Sequence, residues 1–117
     1  MDRNELLSPH FRLSELIKSD IATRFDIDNT PPQEVVENLK LLAVNVLEPI
    51  RAKYGPFVPQ SGYRCIQIND ILRSKPSSDH VTGCAADVEV QCVSNMDLAQ
   101  WCLYNLPAWR QIILEFY

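Results

Sequence analysis

The sequence lacks features that are typical of several common classes of protein. It contains three glycines, and its four cysteines form no Cys-x-x-Cys pair, which argues against a thiolate zinc knuckle. It has 11 basic residues against 15 acidic ones, for a net charge of −4, so we do not expect nucleic acid to be the main partner. No apolar run approaches the length of a membrane span.

The N-terminal residues also lack the features of a secretory signal. Residues 1–5 are mostly charged or polar, and no apolar segment follows them. We therefore expect the product to be cytoplasmic as synthesised, with its cysteines reduced and mostly buried. The hydrophobic content of 46% and charged content of 22% are ordinary for a globular protein, so residues 1–117 are expected to form a single domain.

The clearest periodic pattern lies between residues 30 and 54. Thr30 and Gln33 have the spacing of a capping box, Pro31 suits the first helical position, and Gly55-Pro56 is a stop signal. Apolar residues at steps of three and four predict one long helix with a buried stripe at Val35, Leu39, Leu42, Val46 and Ile50.

The remaining segments are shorter and alternate in type. Helices are predicted at 11–17, 66–73 and 94–105, and strands at 57–60, 86–92 and 110–117. This order predicts an α+β domain in which the helices pack on one face of a small antiparallel sheet.

His80 and Asp87 are the first candidates for chemistry. They lie on either side of a turn at Gly83, and Asp87 belongs to an alternating run. Imidazole nitrogen and carboxylate oxygen suit Zn²⁺, and a catalytic site needs a third protein ligand and an open position for water. The alternative is a loop histidine beside an unrelated strand carboxylate. Cys84 lies in the same segment, where a small side chain in a tight turn is the simpler interpretation.

Arg64 is the next candidate, because it ends the turn Ser61-Gly62-Tyr63-Arg64 after a predicted strand. A guanidinium at that position can project into a cleft and bind a carboxylate through two hydrogen bonds. The alternative is a surface arginine whose aliphatic stem packs on Tyr63.

Taken together, these segments resemble the zinc D-Ala-D-Ala metallopeptidase family. This family includes DD-carboxypeptidases and L-alanyl-D-glutamate endolysins and shares its fold with the Hedgehog signalling domain. The similarity covers nearly the whole chain. Its most specific element is Ser78-x-His80-x-x-Gly83-x-Ala85-Ala86-Asp87, and it is supported by Phe11-x-Leu13-Ser14-Glu15-Leu16, Ser19-Asp20-x-Ala22-Thr23-Arg24, Asn29-x-Pro31, Asn38-Leu39-x-x-Leu42, Leu47-x-Pro49-Ile50-Arg51, Ser61-Gly62-Tyr63-Arg64 and Asn69.

The resemblance implies a Hedgehog/DD-peptidase-like fold and a zinc peptidase that acts on peptidoglycan stem peptides, as a carboxypeptidase or an endopeptidase. It implies that His80 and Asp87 are zinc ligands, that Arg64 binds the substrate carboxylate or a peptide carbonyl, and that Ser78 supports the loop and contacts substrate. A phage or prophage enzyme that another factor releases to the cell wall would fit the absence of a signal segment.

The sequence departs from the family near its C-terminus, where the family presents a second histidine with an acidic catalytic residue close before it. The only other histidine is His10, in a segment that the family places away from the cleft. Glu115 is the candidate general base or substitute ligand, although an exposed strand carboxylate is the simpler interpretation. We therefore expect weak zinc binding and little peptidase activity.

Three interpretations of this departure stay open. The domain is shortened before its C-terminal hairpin, which is the simplest case, or it is an inactive relative retained for binding, or another subunit completes it. A non-catalytic module that binds cell-wall peptide or protein, and a structural phage protein that keeps only the fold, are the alternative functions. An unpaired apolar strand at 112–117 would favour self-association.

Overall fold

The computed structural model describes residues 2–106, and their arrangement confirms the predicted α+β class. A short antiparallel hairpin comes first, formed by β1 (Leu6–Ser8) and β2 (Phe11–Arg12). No helix in this part of the chain is both long and apolar enough to cross a bilayer. The helical elements follow in the order α1 (Leu13–Ile17), α2 (Asp20–Phe25), α3 (Gln33–Leu42), a π-helical turn (Ala43–Leu47), α4 (Glu48–Tyr54), α5 (Ile66–Ile71), α6 (Asp79–Thr82) and α7 (Asn95–Asn105).

The predicted long helix is present, but it begins later than expected. The first helical residue is Gln33, after Pro32 in extended conformation, and no side chain caps this end. A capping box at Thr30 was therefore wrong. The physical reason is the second proline, since a residue that precedes proline is disfavoured in helical conformation, and Pro31 precedes Pro32.

A π-helical turn interrupts the long helix just before Pro49. Proline has no N–H to donate, and the residue before it, Glu48, donates instead to the carbonyl of Ala43, five residues back. The apolar stripe stays buried across this turn, although Leu42 and Val46 are only partly buried. The other predicted members, Val35, Leu39 and Ile50, are buried, and so are three residues beside the stripe, Val36, Ala43 and Leu47.

The hairpin and α1 pack against this long helix to form the main core. Phe11, Leu13 and Leu16 are almost fully buried there, and the Phe11 ring lies 5.4 Å from the ring of Phe57. A second cluster joins Ile50 to α7. The site segment between residues 57 and 90 is therefore attached to the long helix at both clusters.

The predicted strands at 57–60 and 86–92 were wrong as regular strands. The two segments meet only in an isolated antiparallel bridge between Ser61 and Asp87. Pro56 and Pro59 have no N–H to donate, so a ladder cannot continue along this side of the pairing. The third predicted strand, 110–117, lies outside the described residues.

The cysteines are free, as expected for reduced thiols, but the expectation that most are buried was wrong. Cys102 is buried in the second cluster, Cys65 is partly buried, and Cys84 and Cys92 are exposed.

Candidate functional site

His80 is held by the short helix α6, in a segment for which the sequence analysis predicted no helix. The hydroxyl of Ser78 caps α6 by accepting a hydrogen bond from the His80 backbone N–H at 3.3 Å. Gly83 ends the helix with φ of 79°, in the left-handed region that favours glycine. A Cβ at Gly83 would lie 2.8 Å from a Val35 side-chain carbon, so the turn also needs glycine to approach α3.

The His80 ring is oriented by a main-chain carbonyl. Its Nδ1 lies 2.7 Å from the Gly62 oxygen, and the side chain is only 12% exposed. A carbonyl oxygen can only accept, so Nδ1 must carry the ring proton and donate it. The neutral ring therefore keeps an unprotonated Nε2, which is the form that binds metal ions.

Asp87 is placed opposite this nitrogen by the bridge to Ser61. Its backbone N–H donates to the Ser61 carbonyl at 2.8 Å, and its carbonyl accepts from the Gln60 N–H at 2.9 Å. The carboxylate oxygen Oδ1 lies 3.5 Å from Nε2 of His80, and the Asp87 side chain is 52% exposed. The His80 imidazole and the Asp87 carboxylate thus face each other across a gap that solvent reaches.

The separation of these two atoms fits a shared metal ion better than a direct hydrogen bond. An N–H···O bond is about 2.9 Å long, whereas two ligands of tetrahedral zinc, each at about 2.1 Å, lie about 3.4 Å apart. The hydrogen bond from Nδ1 to the Gly62 carbonyl is also the usual support for a metal-binding histidine. The donor set of His80 and Asp87 therefore fits two of the ligands of a zinc ion.

Electrostatics favour the charged form of the Asp87 carboxylate. When Nε2 is also protonated, a hydrogen bond from the His80 ring lowers the pKa of Asp87, burial opposes this effect, and the positive charges of the ring and of Arg64 add to it. The charge of Arg64 acts in the same direction when the ring is neutral. A carboxylate must be ionised to bind a metal ion, so its surroundings keep it in the form that can coordinate.

Arg64 lies beside the pair, close enough for its charge to act on Asp87. Its backbone N–H donates to the His80 carbonyl at 3.0 Å. Its Nε is buried and has no hydrogen-bond partner among the described residues. Because buried donors are nearly always paired, this unpaired nitrogen distinguishes Arg64 from an ordinary surface arginine.

The other predicted site residues lie as follows. Ser78 caps α6, so its hydroxyl already accepts from the His80 N–H. The Cys84 thiol lies 3.9 Å from the Thr82 carbonyl oxygen, on the exposed side of the turn. His10 pairs with Glu48 at 2.7 Å and is not part of the site. Glu115 lies outside the described residues.

Within residues 2–106, no group of three or more histidine, cysteine, aspartate or glutamate side chains is placed to hold a metal ion. A shallow, polar depression of about 450 Å³ lies on a neighbouring surface, and none of the candidate site residues lines it. Its lining residues are Gln60, Glu89, Val90, Gln91, Val93 and Asn95.

Two supporting residues were missed by the sequence reasoning. Gly62 supplies the carbonyl that orients His80, and a Cβ there would lie 2.5 Å from the Leu16 oxygen. Asn29 is buried and bonds to the main chain next to Arg64. Both occur in the segments that carry the family resemblance, which was the available signal, but the sequence does not show which backbone atoms they serve.

Comparison with known proteins bears on the family. Searches of curated proteins and of solved structures gave no match. A family model described as Peptidase M15 matches residues 9–108, which include His80, Asp87, Arg64 and Ser78. A match of this extent covers most of the chain and agrees with the resemblance to zinc D-Ala-D-Ala metallopeptidases. The chain belongs to the Peptidase M15 family.

Proposed function

We propose that this peptidase-family domain binds zinc at His80 and Asp87 and recognises peptidoglycan stem peptides at the adjoining Arg64. The observation that carries the proposal is the geometry of His80, whose Nδ1 is bound to the Gly62 carbonyl while its Nε2 lies 3.5 Å from Asp87 Oδ1. The family match supports a peptidase-like role for the fold that holds this pair.

Each residue of the site has a role in this proposal. When bound, zinc supplies Lewis-acid polarisation of a peptide carbonyl and a water molecule of lowered pKa. His80 and Asp87 hold the ion, and the Gly62 carbonyl keeps the His80 ring in the required tautomer. Arg64 binds the terminal carboxylate or a carbonyl of the peptide, since its buried Nε needs an acceptor. Ser78 supports the loop, and Glu115 is the proposed group that accepts the proton of the water and returns it to the leaving amine.

Hydrolysis requires a third protein ligand in addition to His80 and Asp87. His10 cannot supply it from its position in the structure, because its Nδ1 is paired with Glu48 and it belongs to the hairpin. The ligand must come from residues outside 2–106, with Glu115 as one candidate, or from another subunit. We expect the 117-residue chain by itself to bind zinc weakly and to hydrolyse stem peptides slowly or not at all.

A second candidate function is binding of cell-wall peptide without turnover. It is favoured by the incomplete ligand set among the described residues together with the buried, unpaired Nε of Arg64. Such a module would keep the carboxylate-binding group and lose only the chemistry. A phage or prophage origin, with delivery to the cell wall from the cytoplasm, is compatible with either function. A structural phage protein that keeps the fold alone would need neither zinc nor peptide.

The experiment that tests the proposal locates the metal directly. Crystals of the 117-residue chain soaked in zinc are measured on both sides of the zinc absorption edge, and an anomalous peak is expected between His80 Nε2 and Asp87 Oδ1. The same protein is titrated with diacetyl-Lys-D-Ala-D-Ala, and binding that is lost in Arg64→Ala supports the peptide site. A zinc peak elsewhere, or unchanged peptide binding by Arg64→Ala, contradicts the proposal. Release of D-alanine then separates the peptidase from the binding module.

A further inference from the structure

We infer that Asn29 is a positioning residue of this site: its carboxamide holds the main chain on both sides of Arg64 and so sets the places of the Arg64 guanidinium and the Gly62 carbonyl. The inference rests on the proposed function, because it assigns Asn29 to the site formed by His80, Asp87 and Arg64. Among the described residues, the hydrogen bonds of the Asn29 side chain reach neither His80 nor Asp87, so Asn29 acts through the backbone.

Within residues 2–106, the Asn29 side chain forms three hydrogen bonds, all to main-chain atoms. Its Nδ2 donates to the Ile17 carbonyl at 2.8 Å and to the Tyr63 carbonyl at 3.1 Å. Its Oδ1 accepts from the Cys65 N–H at 2.8 Å. The residue is 3% exposed, so water cannot replace these bonds without disruption of the packing. One side chain therefore joins the C-terminal end of α1 to the residues before and after Arg64.

The segment that Asn29 holds has no regular secondary structure between the Ser61 bridge and α5. Besides the Asn29 contacts, its backbone is fixed by the Tyr63 N–H, which donates to Leu16 at 2.8 Å, and by the Arg64 N–H, which donates to His80 at 3.0 Å. Gly62, whose carbonyl orients the His80 ring, is the residue directly before Tyr63. A shift of this segment would therefore move the carbonyl that selects the His80 tautomer and the base of the Arg64 side chain together.

The chemistry of the contacts requires asparagine at this position. Two N–H donors on one nitrogen serve two carbonyls, while the oxygen of the same group serves an N–H. Aspartate lacks the donors and would place a charge against two carbonyl oxygens, and leucine lacks both donors and acceptor.

The chain offers a matched control in Asn69, a second buried asparagine. Asn69 is 0% exposed, and its Nδ2 donates to the carbonyls of Ser74 and Lys75, in the turn after α5. None of these contacts reaches residues 62–65. Removal of either asparagine leaves buried main-chain groups unpaired and destabilises the fold, so a purely structural role predicts the same behaviour for both variants.

The test compares wild type, Asn29→Ala and Asn69→Ala by NMR on ¹⁵N-labelled protein without zinc or peptide. In wild type and Asn69→Ala, the His80 ring should show one tautomer, protonated at Nδ1, and the Arg64 Nε–H signal should be at the same position. In Asn29→Ala, we expect the Arg64 signal to move and the His80 ring to populate both tautomers. Unchanged Arg64 and His80 signals in Asn29→Ala, or equal changes in Asn69→Ala, overturn the inference.

A binding arm then connects positioning to function. Affinity for diacetyl-Lys-D-Ala-D-Ala in the presence of zinc should fall at least tenfold in Asn29→Ala and less than twofold in Asn69→Ala, after both are compared at a temperature where each is folded. If wild type binds neither zinc nor this peptide, the proposed function fails, while the NMR comparison still decides the role of Asn29.

A measurement on wild type keeps the inference testable if Asn29→Ala does not fold. The Nδ2 protons of Asn29 should be protected from solvent exchange to the same degree as the backbone amides of Arg64 and Cys65, because they belong to one hydrogen-bonded unit. Fast exchange of the Asn29 side chain while those two amides stay protected would show that Asn29 does not hold the segment.

Discussion

The two histidines of this chain each lie beside a carboxylate, yet the two pairs are built in opposite ways. His10 contacts Glu48 directly, with 2.7 Å between Nδ1 and Oε1. The other oxygen of Glu48 accepts from the Ser8 hydroxyl at 2.6 Å and from the His10 backbone N–H at 2.8 Å. Both carboxylate oxygens are thus used within the protein, and the pair ties the β1–β2 hairpin to the first residue of α4.

In the His80–Asp87 pair, by contrast, the two facing atoms, Nε2 and Oδ1, are not joined by a short hydrogen bond. The Nδ1 of His80 is taken by the main chain, and the separation of 3.5 Å between Nε2 and Asp87 Oδ1 is too long for a good hydrogen bond. The comparison shows that the same two kinds of side chain form a structural link when they satisfy each other. They stay available for a ligand, as we propose for His80 and Asp87, when the backbone satisfies one ring nitrogen and holds the other about one ligand separation from the carboxylate.

The largest difference between the pairs should appear in zinc affinity. His80→Ala removes one of two proposed ligands and is expected to weaken zinc binding at least about 100-fold, whereas His10→Ala, the matched control, should change it less than about twofold. Isothermal titration with zinc measures both. Equal losses in the two variants would mean that the pairs do not differ in the way the geometry indicates.

Gly62→Ala should show how strongly the His80–Asp87 pair depends on the backbone beside it. The new Cβ would lie 2.5 Å from the Leu16 oxygen and 2.8 Å from a Leu16 side-chain carbon, so the segment that carries the Gly62 carbonyl must move. We expect a loss of about 2–3 kcal/mol in the free energy of unfolding, together with weaker zinc binding.

Urea unfolding and zinc titration check the Gly62 prediction. Gly55→Ala is the comparison variant, since a Cβ at Gly55 meets nothing within 4 Å, although its φ of 93° makes the backbone strained. That variant should lose about 1–2 kcal/mol of stability and keep its zinc affinity. A Gly62→Ala protein with wild-type stability would show that the close approach to Leu16 does not constrain the segment.

The His10–Glu48 pair should contribute to the stability of the fold and have no effect on zinc binding. Glu48→Ala would leave the Ser8 hydroxyl and the His10 N–H without their acceptor, and we expect a loss of about 1–2 kcal/mol in the free energy of unfolding. Thermal or urea unfolding gives this value. Zinc affinity measured on the same sample should stay within about twofold of wild type, and a larger change would link the hairpin to the site.

The smallest expected effect is the pH dependence of the stabilisation that Glu48 provides. Burial alone would raise the pKa of Glu48, but hydrogen bonds from Ser8 and from the side chain and backbone of His10 outweigh it and lower the pKa below 4.5. The folded state therefore binds fewer protons than the unfolded state in this range. The stabilisation is complete above pH 4.5 and is lost as the pH falls through the lowered pKa.

Unfolding curves recorded between pH 3 and pH 6 test the sign of this effect. The stability difference between wild type and Glu48→Gln should narrow as the pH falls, because glutamine does not titrate. A constant difference across this range would show that the charge of Glu48 contributes nothing.

Local sequence signals predicted the parts of the fold that depend on neighbouring residues. The helix of residues 33–54 and the cap of α7, where Ser94 accepts from the Asp97 N–H, follow from apolar spacing and capping chemistry. Local signals could not decide whether the segments 57–60 and 86–92 form regular strands. Alternation at 86–92 is real, but whether a ladder forms depends on the partner segment, and the prolines there allow only one bridge.

The candidate site shows the same division between local and distant information. His80, Asp87, Arg64 and Ser78 were selected from residue type and family resemblance, and their roles stay predictions. Glu115 also stays a prediction, and it lies outside the described residues. The role of the Gly62 carbonyl was out of reach of the sequence, since main-chain atoms are identical at every position. The same holds for Asn29, whose bonds reach Ile17, Tyr63 and Cys65.

The sequence by itself determined the α+β class, the long helix, the family and the groups that we propose to bind a metal ion, because periodicity, capping and motif spacing are properties of the chain. Only the tertiary structure decided which of the two histidines has its Nδ1 bound to the main chain, so that Nε2 faces a carboxylate. Both have a carboxylate partner, and the difference lies in which distant atom occupies each Nδ1: a side-chain oxygen of Glu48 for His10, and the main-chain oxygen of Gly62 for His80. Each of these acceptors is distant in sequence from the histidine that it contacts, so tertiary packing decides which acceptor each ring meets.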